Sequence, residues 1–113
     1  MIKYKIVLVP FPFDDFSATK VRPAICLTNP VGKFNHIIIA FISSKIQQEL
    51  IESDLLILKS DKGFKATGLI SDSIIRVHKI VTIPKNLIHR ELGMLDVSLQ
   101  KVIHKKIQKL FKN

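Results

Sequence analysis

Ser73-Ile74-Ile75-Arg76-Val77-His78-Lys79-Ile80-Val81-Thr82-Ile83 is the longest β-rich run of the chain. β-Branched residues dominate it and polar ones are interleaved, which suits a pleated, half-buried strand and not a helix. Alternation places Ile75 and Val77 on one face and, continued, Val81 and Ile83 on the same face. The pattern slips near His78, as it does at a bulge or bend, and bends of this kind let a small sheet curl toward closure.

Working outward, Tyr4 to Val9, Ala24 to Thr28 and His36 to Ser43 read as further strands, with Asp54 to Lys59 as a fifth. Asn29 to Asn35 has the Asn-Pro and Gly chemistry of a turn and joins two apolar runs as a hairpin, while Ser60 to Gly63 and Gly68 mark other turns. Lys45 to Glu52 is expected to make one or two helical turns. The clear helix is C-terminal: Asp96 caps its first turn, and Leu99, Val102, Ile103, Ile107, Leu110 and Phe111 recur at three- and four-residue spacing. That face should dock on the sheet. Lys101, Lys105, Lys106, Lys109 and Lys112 lie opposite, where the helix dipole favours cations; the face reads as solvated before it reads as an RNA-binding surface. The expectation is a mainly β chain with short helices and a C-terminal α-helix.

The 113 residues suit one domain spanning 1–113, and 47% hydrophobic residues supply a core. Eighteen Lys and Arg against nine Asp and Glu give a formal charge of +9, and the pI is about 9.9. Such an excess attracts polyanions, nucleic acid first among them. Cys26 is the single cysteine and sits in the apolar run Ala24 to Leu27, so it reads as a small core residue in a reducing compartment. The longest apolar run, Ile37 to Ile42, is far short of a membrane span; a soluble, cytoplasmic protein with no membrane partner is expected. His36, His78, His89 and His104 follow no spacing of a histidine-pair nuclease, and no Cys/His cluster has metal-ligand spacing, so neither a metal nor another cofactor is expected.

Pro10 to Pro23 is a long loop, and loops of this length in small domains are commonly functional. Ile6 to Asp15, followed by Lys20-Val21-Arg22-Pro23-Ala24, resembles the opening of MazF/PemK-like toxins of type II toxin–antitoxin systems. Three further pieces appear in the family's order: Ala40-Phe41-Ile42-Ser43-Ser44, then Thr67-Gly68-Leu69 leading to Ser73-Ile74-Ile75-Arg76, and finally Leu92-Gly93 before the last helix. The resemblance implies an SH3-like small barrel (MazF/PemK/CcdB-like) that forms a homodimer. It implies a metal-independent endoribonuclease, an mRNA interferase, that cleaves single-stranded RNA and is silenced by a cognate antitoxin, whose acidic tail would fold over a basic surface.

Carried onto this sequence, the family's catalytic pair is Arg22 and Ser43. Without a metal, the ribose 2′-hydroxyl must attack the neighbouring phosphorus, so the site has to stabilise a phosphorane-like charge. The fixed fork of Arg22 suits that task, and Ser43 would donate a hydrogen bond to the same phosphate. Ser44 supplies the hydroxyl instead if the strand register differs by one. Apart from its flanking motif, Arg22 also reads as a loop anchor paired with Asp14 or Asp15. Phe13 is the expected base-stacking residue, beside Asp15, Ser17 and Lys20, with Lys45 and Ser73 as weaker RNA contacts. His78 departs from the polar or acidic residue expected there, which leaves the general base open. The alternative function is a non-catalytic toxin or binding module of the same fold, either a gyrase-inhibitor-like protein or an RNA-binding SH3-like barrel.

Overall fold

The computed structural model describes residues 1–10, 20–46 and 49–112. Six strands form one antiparallel sheet: β1 (Lys5–Pro10), β2 (Val21–Cys26), β3 (His36–Ser43), β4 (Asp54–Ile57), β5 (Ser73–Pro84) and β6 (Arg90–Met94). A short helix, α1 (Phe64–Thr67), precedes β5, and α2 (Val97–Phe111) closes the chain. The strand order is β4-β5-β3-β2-β1-β6, so the sheet curls as a half-barrel around its long central strands, with β4 and β6 at the edges.

β5 turns the sheet. Between the pairs Ala40↔Ile80 and Ile42↔Ile75, β3 advances two positions and β5 five, and the surplus falls on Arg76 to Lys79. The slip at His78 is therefore real, and it has a consequence that plain alternation misses. Ile75 and Val77 belong to one core, shared with Ile6, Ile25, Ala40, Ile42 and Ile57, and Ile80 packs on the same side. Ile83, with Val81 packed against it, belongs instead to a second core with Val7, Val9, Ala24, Cys26, Ile37, Ile39 and Phe41. The surplus is three residues, and a slip by an odd number exchanges faces for everything beyond it, so Val81 and Ile83 lie opposite Ile75 and Val77. Both faces of the central strands are covered, which is why β3 reads as a continuous apolar run.

The helix packs on the first of these cores through a narrower stripe than its sequence pattern suggests. Ile103 is fully buried, and Leu99 and Ile107 pack beside it, but Val102, Leu110 and Phe111 remain exposed. Asp96 caps the helix by accepting from the Ser98 backbone N–H at 3.1 Å. The described residues of 45–52 contain no helix.

β6 has no apolar alternation, because it is an edge strand rich in charge, with Lys5 and Glu91 forming an exposed ion pair 3.0 Å long across it. Glycine fixes its placement. Gly68, at φ +73°, ends α1, and a Cβ there would lie 2.1 Å from the Leu92 carbonyl oxygen; a Cβ on Gly93 would lie 2.1 Å from that of Ala66. The two glycines allow α1 and β6 to meet backbone against backbone.

Candidate active site

A cleft of about 580 Å³ opens where the start of β2, the end of β3 and the first half of β5 converge. The Ala24↔Phe41 pair closes the β2–β3 ladder, and two residues further along each strand stand Arg22 and Ser43, both lining the cleft. Antiparallel geometry thus brings together two residues separated by twenty in the sequence. Pro23 follows Arg22 without a donor to lose, since β2 is inside the sheet but the ladder to β3 has ended there.

The β3 end supplies hydroxyls. Ser43 Oγ accepts from the Lys45 backbone N–H at 3.1 Å, a local turn that fixes the side chain and leaves its own hydroxyl hydrogen available to a ligand. Ser44, one residue past the strand, is exposed on the same cleft, as is Lys45. Ser73 also lines it but is 3% exposed, and its hydroxyl donates to the Ser71 carbonyl at 2.9 Å. That proton is engaged in holding the turn into β5.

The opposite wall is the segment Leu69 to Ser71. Thr67, 1% exposed, holds it: the Thr67 hydroxyl donates to the Phe64 carbonyl at 2.6 Å and accepts from the Leu69 N–H at 3.1 Å. Gly68, packed against the Leu92 carbonyl, leads directly into that segment. Ile70, 89% exposed, stands on this lip as an apolar surface beside the cations.

Sequence reasoning about the site passed over Arg76 and Lys79, which also line the cleft. A signal was present: Arg76 is a lone cation inside an aliphatic run, and such a residue in a buried strand needs a partner. The partner is Asp54, directly opposite in the β4–β5 ladder, with Arg76 Nε 2.8 Å from Asp54 Oδ1. Among the described lining residues are four cations, Arg22, Lys45, Arg76 and Lys79, and no carboxylate or histidine. Cations grouped in this way raise the local potential toward anions.

Phe13, Asp15 and Ser17 lie outside the described residues. Lys20 is exposed just before β2 and is not among the cleft's lining residues. The four histidines do not gather there, and no group of three His, Cys, Asp or Glu stands together among the described residues. Burial pushes the Cys26 thiol up to about 11, so it is no nucleophile at neutral pH. No helix among the described residues is long and apolar enough to cross a membrane.

A curled six-stranded sheet packed by a C-terminal helix, with a cationic cleft between its strands, defines a small barrel-like β protein. The model of the PemK-like, MazF-like toxins of type II toxin–antitoxin systems matches residues 3–111, and the chain belongs to that family. In fold it is similar to the Mycobacterium tuberculosis toxin MazF-mt6 (TM-score 0.70, 19% identity, 95% of each chain covered). It is likewise similar to a mycobacterial endoribonuclease solved with its cognate antitoxin (TM-score 0.70, 11% identity, 96% of this chain and 92% of that one). No curated protein matches it in sequence.

Proposed function

We propose that this toxin is an endoribonuclease that cuts single-stranded RNA without a metal. The observation that carries the reading is the meeting of Arg22 with Ser43 and Ser44 in a cleft whose described lining residues include four cations. In the reaction the 2′-oxygen attacks the adjacent phosphorus, the P–O5′ bond breaks, and the 2′ proton leaves as the 5′-oxygen gains one. The products are a 2′,3′-cyclic phosphate and a 5′-hydroxyl.

Charge accumulates on the non-bridging oxygens along this path, and a preorganised guanidinium held against them stabilises the transition state more than the ground state. Arg22 takes that role, Ser43 donates a hydrogen bond to the same oxygens, and Arg76 adds a second guanidinium from the far wall. Phe13, Asp15, Ser17 and Lys20 form the base-binding side in this reading, with Ser44, Lys45 and Ser73 along the RNA backbone. The toxin acts in the cytoplasm as a homodimer. Its inhibitor is a cognate antitoxin with an acidic tail, a pairing supported by the family and by the related endoribonuclease–antitoxin complex.

Incubating the purified chain with single-stranded RNA in EDTA, then mapping the ends, tests the proposal. Cyclic-phosphate ends are expected. Intact RNA from a folded chain, or cutting that EDTA abolishes, would overturn it.

A further inference from the structure

β4 is the four-residue run Asp54-Leu55-Leu56-Ile57, and its one polar residue is sealed from solvent: the Asp54 side chain is 1% exposed and that of Arg76 13%. Burying a charge pair is expensive, and a well-packed apolar pair at such a place is commonly as stable or more so. Stability alone therefore gives little reason for a carboxylate here. Its geometry gives a better one.

Asp54 is fixed on two sides. Its backbone lies in the β4–β5 ladder opposite Arg76, and Oδ2 accepts from the Ile51 N–H at 3.0 Å, which ties the carboxylate to the turn before β4. The other oxygen, Oδ1, stands 2.8 Å from Arg76 Nε. Nε and Oδ1 are both closed to solvent and do not align as a hydrogen bond, so the contact is one of charge with charge. Arg76 itself lines the cleft, so the carboxylate holds from behind a guanidinium that borders the proposed site. Free arginine side chains sample many rotamers; one clamped at Nε loses most of that freedom before any ligand arrives.

We propose that Asp54 is a positioning residue of the RNA-cutting site, acting through Arg76 by holding its guanidinium aimed at the phosphate in the cleft. The inference rests on the endoribonuclease reading and adds to it a residue that does not touch the cleft at all. Asp54 sets where the charge is, and Arg76 delivers it. Because the aimed guanidinium matters most as charge builds on the phosphorane, losing its support lowers kcat more than it raises KM.

The test is a double-substitution cycle on the full chain, measuring kcat and KM for RNA cleavage per folded molecule, with folding followed by circular dichroism. Anisotropy of an uncleavable RNA carrying 2′-deoxyribose at the cut site gives binding separately. Asp54→Asn keeps the shape and the acceptor for Ile51 but puts a neutral amide against Nε; kcat is expected to fall roughly 10- to 100-fold, with KM changed by less than about threefold. In an Arg76→Ala background the same substitution should change kcat by less than about twofold, since the group it acts through is gone. Loss of fold alone would lower the active fraction equally in both backgrounds and leave kcat per folded molecule untouched. Asp54→Asn cutting at the wild-type rate, or multiplying in full with Arg76→Ala, overturns the inference while wild-type cutting stands. A wild-type chain that neither binds nor cuts RNA removes the endoribonuclease reading and this inference with it.

Discussion

Two lysine-bearing hollows lie on this molecule, and they use their charge in opposite ways. The cleft between β2, β3 and β5 sets two guanidiniums and two lysines among serine hydroxyls, with no acid among its described lining residues. The other, about 530 Å³ between Ile51 to Ser53 and α2, has Val102, Leu110 and Ile51 as its floor and Lys105, Lys106 and Lys109 at its rim. There the cations are engaged locally: Lys106 Nζ donates to the Glu52 carbonyl at 2.7 Å, and Lys109 pairs with the Glu52 carboxylate. That pairing holds the Glu52 carboxyl below its ordinary value, chiefly through the hydrogen bond from Lys109. A net charge of +9 describes both places equally well, so the number and location of cations do not mark the site. What separates them is the kind of donor: among the described lining residues, guanidiniums stand in the first and only lysines carry the positive charge of the second.

The contrast breaks most readily at Arg22. Arg22→Ala is expected to lower cleavage by roughly 100- to 1000-fold, the usual consequence of removing one donor to a developing oxyanion, while the urea unfolding midpoint stays close to wild type. Lys105→Ala with Lys109→Ala should leave the rate within about twofold. Equal losses from both sets would mean that general attraction to the RNA, and not a built site, limits the reaction.

Stability should respond next most strongly, where β6 meets the end of α1 just before the cleft's Leu69 to Ser71 segment. Gly93→Ala drives a Cβ to 2.1 Å from the Ala66 carbonyl oxygen and against Thr67 backbone atoms, none of which is a flexible side-chain end. A loss of about 3 kcal/mol in urea unfolding is expected. Adding a methyl at an exposed position of α2, such as Ser98→Thr, should cost far less. Wild-type stability in Gly93→Ala would show that α1 and β6 can part without harm.

Ser43 and Ser44 sharpen the comparison within the cleft. Both line it, but Ser43 is fixed by the Lys45 N–H and Ser44 is exposed beyond the strand end. Ser43→Ala is expected to slow cleavage roughly 10- to 150-fold, as a hydrogen bond to a charged group contributes about 1.5–3 kcal/mol; Ser44→Ala should cost less than about threefold. The reverse order of rates would assign the hydroxyl to Ser44.

Much of this was legible in the sequence because strands announce themselves by β-branched runs, and β1, β2, β3 and β5 all carry them. β6 was not, since an exposed edge needs no apolar period and its Gly93 exists for the backbone of α1. Arg22 and Ser43 were named through their motifs, and antiparallel pairing explains why they converge. Arg76 was visible as a residue but not as a lining of the cleft, because the displaced register that turns β5 is a property of two strands together. The stripe of α2 was overread for a similar reason: Val102 and Leu110 keep helical spacing, yet the sheet is wide enough to cover only Leu99, Ile103 and Ile107. Of the first loop, Phe13, Asp15 and Ser17 lie outside the described residues.

The smallest effect is expected on the helix side, at Asp96. Its carboxylate accepts from the Ser98 hydroxyl and from the Ser98 backbone N–H, and these bonds hold its pKa below the ordinary 3.8. A depressed carboxylate stabilises the fold above its unfolded value and loses that contribution as pH falls through the folded one, so α2 should begin to fray only in acid below about pH 4. Asp96→Ala removes the cap at every pH: helicity by circular dichroism should fall slightly at neutral pH and lose part of its acid sensitivity, with the cleavage rate unchanged. Glu52, depressed by Lys109, titrates in the same direction, so the Asp96→Ala chain keeps a residual acid response that Lys109→Ala should remove. Cleavage that tracked the helix through this series would join the two hollows into one functional unit; cleavage indifferent to it keeps the chemistry at the strand ends.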